Sequence, residues 1–236
     1  MFRSLVISFC VGLFLCLNAG AEKLPTFGAE VGKKSMMGKT IRLPYTSLVS
    51  YWGYVKPGSE PDEMVDGKKM YYLYVWIPAV APEIGVRMVS PGANYGNPGK
   101  DDMVSANWNE GADAKDSYFD TWINFERALS VINPEDIKTK VKSTKWIGYD
   151  SNDDSSELPA QPSGSKYNSL LRISSVPSEP TKALVRGLYR IAFTSYKAGE
   201  VEGTFMAQVG APIALPGIII EKDIDTLLSK TKTDKE

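Results

Sequence analysis

The sequence predicts an all-β fold with peripheral helices, a β-sandwich of jelly-roll type. Three observations carry this. Short runs rich in aromatic and β-branched residues recur along the chain, each bounded by turn formers such as "KPGSEP" and "SPGANYGNPG". Few segments read as helix, and those are short. No internal repeat and no shift in composition divides the chain, so residues 22–236 are expected to form a single domain.

The elements follow in order. "SLVSYWGYV" (47–55) is the first strand run. In "MYYLYVWIPAV" (70–80), Tyr72, Tyr74 and Trp76 alternate with Tyr71, Leu73, Val75 and Ile77, so both faces are apolar or aromatic, as in a central strand of a two-layer sandwich. The same stretch serves equally well as an interface between copies, which leaves a homodimer open. "IGVRMVS" (84–90) is the next strand. "SYFDTWINF" (117–125) alternates again, with Phe119, Thr121, Ile123 and Phe125 on one side and Asp120 and Trp122 on the other. "NPEDIKTKV" (133–141) reads as a short helix: Asn133 caps it, Pro134 suits the first turn, and Glu135 and Asp136 favour the positive end of its dipole.

"LPAQPSGS" (158–165) excludes both helix and ladder, and "KYNSLLRISSV" (166–176) returns to strand. In "ALVRGLYRIAFTSY" (183–196), Val185, Tyr189, Ile191 and Phe193 line one side and Arg186 and Arg190 the other. "KAGE" (197–200) is expected to turn it into "VEGTFMAQVG" (201–210) as a hairpin. In "IEKDIDTLLSK" (220–230), Ile220, Ile224, Leu227 and Leu228 fall on one helical stripe, a C-terminal helix, and "TKTDKE" is expected to fray.

The N-terminus has its own logic. Arg3, an apolar run from Leu5 to Leu17 and Ala19-Gly20-Ala21 have the layout of a secretory signal peptide over residues 1–21, cleaved to leave a chain starting near Glu22. The run is too short to span a bilayer comfortably. Both cysteines, Cys10 and Cys16, lie inside it, so the mature chain is expected to carry no thiol and no disulfide. Lipidation wants a small residue before the cysteine, whereas Phe9 and Leu15 stand there. The absence of histidine removes imidazole triads and imidazole zinc sites. Cleavage takes one cation and no acid, leaving 26 cations against 28 anions, which argues against a nucleic-acid partner.

The chemistry-bearing stretch is "YDSNDDSSE" (149–157), with four carboxylates and no Lys or Arg from Trp146 to Ser165. An EF-hand fails, because Ser155 stands where the turn needs glycine and Gln161 where a bidentate glutamate belongs. A solvated loop is the plainer reading, since Ser, Asp and Asn are turn formers. Against it, Asp153 and Asp154 repel one another and a hard cation relieves that repulsion. Calcium needs about 6–8 oxygens, so a second contributor is required, and composition does not identify it.

"YWGYVKPG", "YYLYVWIPAV", "GVRMVSP", "FDTWI", "KYNSLLRI" and "LVRGLYRIAFTSYKAGEVEGTF" occur in an order that closely resembles the major surface (outer-membrane) lipoprotein family of pathogenic Leptospira, over roughly Leu43 to Val209. The resemblance implies an exported jelly-roll sandwich with one calcium (Ca2+) site. It places the ligands at Asp120 and Thr121 of "FDTW", at the consecutive Asp153 and Asp154, and at the main-chain oxygen of Tyr167 in "KYNSL". It thereby supplies the second contributor. The chain departs from the family's nearly continuous aspartate run, diluted here by Ser151, Asn152 and Ser155, and from its N-terminal lipidation cysteine, so association with the outer membrane is expected to be peripheral.

The resemblance further implies a non-catalytic, adhesin-like protein of the cell envelope, at the outer-membrane surface, in the periplasm or secreted. Its implied partners are extracellular matrix proteins such as collagen, laminin and fibronectin. A carbohydrate-binding module is the alternative, with polysaccharide stacked on exposed aromatics; Trp108, in "SANWNEG", is the foremost candidate for exposure among Trp52, Trp76, Trp108, Trp122 and Trp146. A carboxylate-dependent glycoside hydrolase using Asp120 and Glu126, on one side of the same strand, is the remote one.

Overall fold

A computed structural model describes residues 24–114, 116–197 and 200–233. Two sheets face each other. One has the order β10 (Ser169–Ser174), β6 (Glu83–Val89), β12 (Gly203–Ala211), β3 (Ser47–Val55), β7 (Met103–Val104). The other has the order β13 (Ile219–Glu221), β5 (Lys68–Ile77), β11 (Gly187–Ser195), β8 (Thr121–Ala128), β9 (Trp146–Asn152), with β4 (Glu63–Val65) also on β5. Pairing is antiparallel except between β3 and β7. A separate hairpin joins β1 (Gly28–Met36) to β2 (Lys39–Pro44). The helices are α1 (Trp108–Gly111), α2 (Pro134–Lys140) and α3 (Ile224–Thr233). The expected all-β sandwich with few helices is what the chain forms. None of the helices among the described residues is long and apolar enough to cross a membrane. The secretory segment lies outside the described residues.

Alternation decides which side chains fill the gap between the sheets. Leu73, Val75 and Ile77 of β5, Ile123 and Phe125 of β8, Tyr189, Ile191 and Phe193 of β11, and Phe205, Ala207 and Val209 of β12 share one core. Each fully buried Leu, Ile or Phe contributes about 1.5–3 kcal/mol. At one end Phe119, Phe193 and Phe205 cluster, with the last two rings 4.9 Å apart. The outer faces carry smaller clusters; Trp76, Leu188, Leu227 and Leu228 seat α3 and α2 on the second sheet. In α2, Asn133 N donates to Asp136 Oδ2 at 3.2 Å, closing the expected cap.

Five expectations fail. β11 and β12 do not form a hairpin. β11 already has β5 and β8 on its two edges, so β12 crosses to the opposite sheet between β3 and β6. Gly203 serves that crossing: its φ is +106°, and a Cβ there would lie 2.0 Å from the Ser117 carbonyl oxygen. Ile220 belongs to β13 and the central core rather than to the helical stripe, and the last helix runs on to Thr233 instead of fraying from 231. Trp108 is 4% exposed and packs edge-on against Trp52 at 5.4 Å. The acid-rich stretch is not one loop, because Asp150 and Asn152 belong to β9.

Candidate metal centre

β8 begins at Thr121, and the residue before it sits at the rim of the sandwich above the Phe119–Phe193–Phe205 cluster. The rim is fixed by the backbone: Tyr196 N donates to Asp120 O at 2.8 Å and Thr121 N donates to Tyr167 O at 3.0 Å. Thr121 is fully buried. Its hydroxyl lies 3.0 Å from Tyr167 O and 2.8 Å from Ser169 Oγ, and the Ser169 hydroxyl donates to Thr121 O. Asp120, Thr121 and Tyr167 are therefore held at one point by the register of β8 against the segment entering β10.

Asp120 is the unusual member. Both its carboxylate oxygens are buried and have no hydrogen-bond partner. Its carboxyl is pushed up to about 6, first by burial and then by the negative charge of Asp153, with Asp154 adding to it and Lys197 and Lys68 opposing. Those two lysines come from β5 and from just after β11, far in sequence from the stretch between Trp146 and Ser165 that has no Lys or Arg. Neither forms an ion pair with Asp120, and Lys197 sits over the Tyr167 ring at 5.7 Å.

Asp153 and Asp154 are set beside this rim, short of closing on Asp120, by the pinning of the residues on either side of them. Asn152 Oδ1 accepts from Leu170 N at 3.1 Å, and Ser155 N donates to Lys166 O at 3.3 Å. Asn152 and Ser155, which dilute the aspartate run, are thus the fasteners of the loop; sequence reasoning missed this, and the two polar residues bracketing the acids were the available sign. Further along, Glu157 leaves the acidic group altogether and bridges Arg42 at 2.8 Å and Arg172 at 3.0 Å. Gln161 adds one more tie, its Nε2 donating to Phe119 O at 2.7 Å.

An oxygen-only donor set of Asp120, Thr121, Asp153, Asp154 and the Tyr167 carbonyl suits a hard divalent cation and no soft one. The orphaned Asp120 carboxylate fits such an ion, since a buried charge without donors otherwise lacks compensation. As placed, however, no three acidic side chains among the described residues stand close enough to hold a metal together. Asp154 is exposed, and Tyr167 O already accepts from Thr121 N. Closing the set calls for the 153–154 loop to move in toward Asp120.

The second acid on this side of β8 behaves differently. Glu126 accepts from Arg190 Nε and, at 2.7 Å, from Asn124 Nδ2. Arg190 lies over the rings of Tyr72 at 3.8 Å and Trp146 at 4.3 Å. Glu126, Asn124, Arg190 and Tyr72 floor a groove of about 500 Å³ on the outer face of the second sheet, shared with Glu63, Lys68 and Trp122. Trp122 and Trp146 are the partly exposed indoles, in place of Trp108.

The model of a family described as surface lipoprotein of the Spirochaetales order matches residues 39–220, and the chain belongs to that family. Surface lipoproteins are exported to the cell surface. No curated protein matches the chain.

Proposed function

We propose that this member of the spirochaetal surface lipoprotein family is a non-catalytic binding protein of the cell envelope whose rim is clasped by one calcium ion. The observation that carries the reading is the Asp120 carboxylate, buried at both oxygens with no donor and flanked by the charges of Asp153 and Asp154. With an ion bound, Asp120, Thr121 and Tyr167 would hold it from the sandwich, and Asp153 and Asp154 from the loop. The ion supplies charge neutralisation and oxygen coordination, which join the loop to the sheet. The ligand of the whole protein is an extracellular polymer, matrix protein or polysaccharide. Melting temperature measured with and without calcium tests the clasp: the rise in the unaltered chain should vanish in Asp153→Ala with Asp154→Ala, and an unchanged rise would place the ion elsewhere.

The groove on the outer face favours polysaccharide over collagen as that polymer. A part-exposed indole at Trp122 offers a flat surface for a sugar ring, with Asn124 and the Glu126–Arg190 pair as hydrogen-bonding groups beside it. Tryptophan fluorescence that shifts with polysaccharide and not with collagen supports this; a shift with collagen alone opposes it. Hydrolysis finds no support in Glu126, which is tied to Arg190 and Asn124 rather than free to move a proton.

A further inference from the structure

Residues 31–41 of the β1–β2 hairpin are exposed without a break. The two turn residues, Met37 and Gly38, both have positive φ, 50° and 76°, which is the tight turn a two-residue hairpin needs. The register sets Lys34 opposite Ile41 and Met36 opposite Lys39, and Leu43 continues the same face. Met36, Ile41 and Leu43 are 58%, 52% and 50% exposed, and Met37 is 100% exposed. The opposite face carries Ser35, Thr40 and Arg42, and Arg42 ties the base to Glu30 and Glu157.

Charge is equally one-sided. From Val31 to Leu43 stand Lys33, Lys34, Lys39 and Arg42 with no acid, in a chain of net charge −1. Lys33 is paired with Glu30; Lys34 and Lys39 form no ion pair among the described residues. A two-stranded hairpin is marginal in water alone. This one is held out from the body at its base, where the fully buried Glu83 carboxylate accepts from Glu30 N, Val31 N and the Tyr45 hydroxyl at 2.9–3.1 Å.

We infer that the hairpin is a membrane-contacting finger, which seats Met36, Met37 and Ile41 among the headgroups of an anionic lipid surface with Lys34 and Lys39 on those headgroups. Charge complementarity selects the occupant, because Lys34 and Lys39, in the outer half of the hairpin, have no acid to oppose them among the described residues, whereas Lys33 and Arg42 are paired nearer the base. The apolar tip selects lipid over a polyanion in solution, which would leave the methionines in water; flexible thioethers suit a disordered interface. Pairing of two such hairpins would set Lys34 and Lys39 of one copy against those of the other. The hairpin also starts at Gly28, so any attachment at the N-terminus brings it to the same surface. Stable peripheral anchoring takes two weak signals, and this is one of them.

Flotation of the chain from Glu22 onward, which holds every described residue of the fold, tests this with vesicles of phosphatidylglycerol mixed into phosphatidylcholine and with phosphatidylcholine alone. Co-flotation is expected with the anionic vesicles only. Lys34→Glu with Lys39→Glu should lower the partition at least about 25-fold, from roughly fivefold per lysine near an anionic surface. Met36→Ser with Met37→Ser should also lower it, at an unchanged melting temperature because both side chains are exposed. Three results overturn the proposal: no binding to anionic vesicles; binding lost in the lysine variant but kept in the methionine variant, which means surface charge alone; or a dimer in sedimentation equilibrium that the methionine variant dissolves, which makes a second copy the occupant.

Discussion

Asp120 and Glu126 point to the same side of one polypeptide segment, yet they are in opposite states. Glu126 has a guanidinium and an amide as donors, and its Arg190 partner is enclosed by two aromatic rings. Asp120 is buried at both oxygens with no donor, and the strongest charge acting on it is that of another acid, Asp153. A carboxylate that serves only the fold is finished by the fold's own donors; Glu83, fully buried with three donors, is a second example. A carboxylate left unfinished at a rim, with acids beside it, is what the proposed ion would complete.

The comparison is broken most severely by removing Arg190. Its side chain and that of Glu126 are 13% and 15% exposed, so Arg190→Met leaves a largely enclosed acid with Asn124 as its remaining donor and should cost about 2–3 kcal/mol in urea unfolding, below the value for a fully buried pair. A loss below about 1 kcal/mol would mean that Glu126 is as uncompensated as Asp120. Next comes metal addition. At a free calcium concentration of about 100 dissociation constants the unaltered chain should gain ~2.7 kcal/mol, and Asp120→Asn should gain nothing, by chemical unfolding with calcium against chelator.

Replacing each acid by its amide sharpens the contrast. Glu126→Gln should destabilise by about 1–3 kcal/mol in chelator, through a charged donor left without its acceptor. Asp120→Asn should raise the melting temperature under the same conditions, by a few degrees.

The smallest effect is on pH. Asp120 has a folded value of about 6 against the ordinary 3.8, so the folded chain holds its proton more tightly than the unfolded one. Its favourable contribution is complete below about pH 3.8 and is lost as pH rises through about 6. Metal-free chain should therefore melt progressively lower across that window relative to Asp120→Asn. Parallel melting curves for the two proteins would remove the burial of Asp120 from the account.

Local pattern was readable where it depends on neighbours in the chain. β3 spans the residues that its composition marks, 47–55, the alternation in β5 assigns its two faces, and the cap of α2 closes as its sequence implies. Partner choice was not readable. Whether β12 lies beside β11 or across from it depends on both edges of β11 being taken, a long-range matter that a four-residue turn does not disclose. Two hairpins went unread although their turns, Met37-Gly38 and Asp66-Gly67, carry paired positive φ values; Asp-Gly is the stronger of those signs. At the rim, "FDTW" and "KYNSL" marked Asp120, Thr121 and Tyr167, whereas the lysines whose charges reach Asp120 come from other elements. The seating of Trp108 against Trp52 likewise rests on contacts over fifty positions apart, beyond any local pattern.

Isothermal titration of calcium into the unaltered chain, Asp120→Asn and Glu126→Gln puts the central contrast to one instrument. One ion should bind to the unaltered chain and to Glu126→Gln alike, and none to Asp120→Asn. Equal binding by Asp120→Asn, or no heat from the unaltered chain, would contradict the assignment of the orphaned carboxylate to a cation.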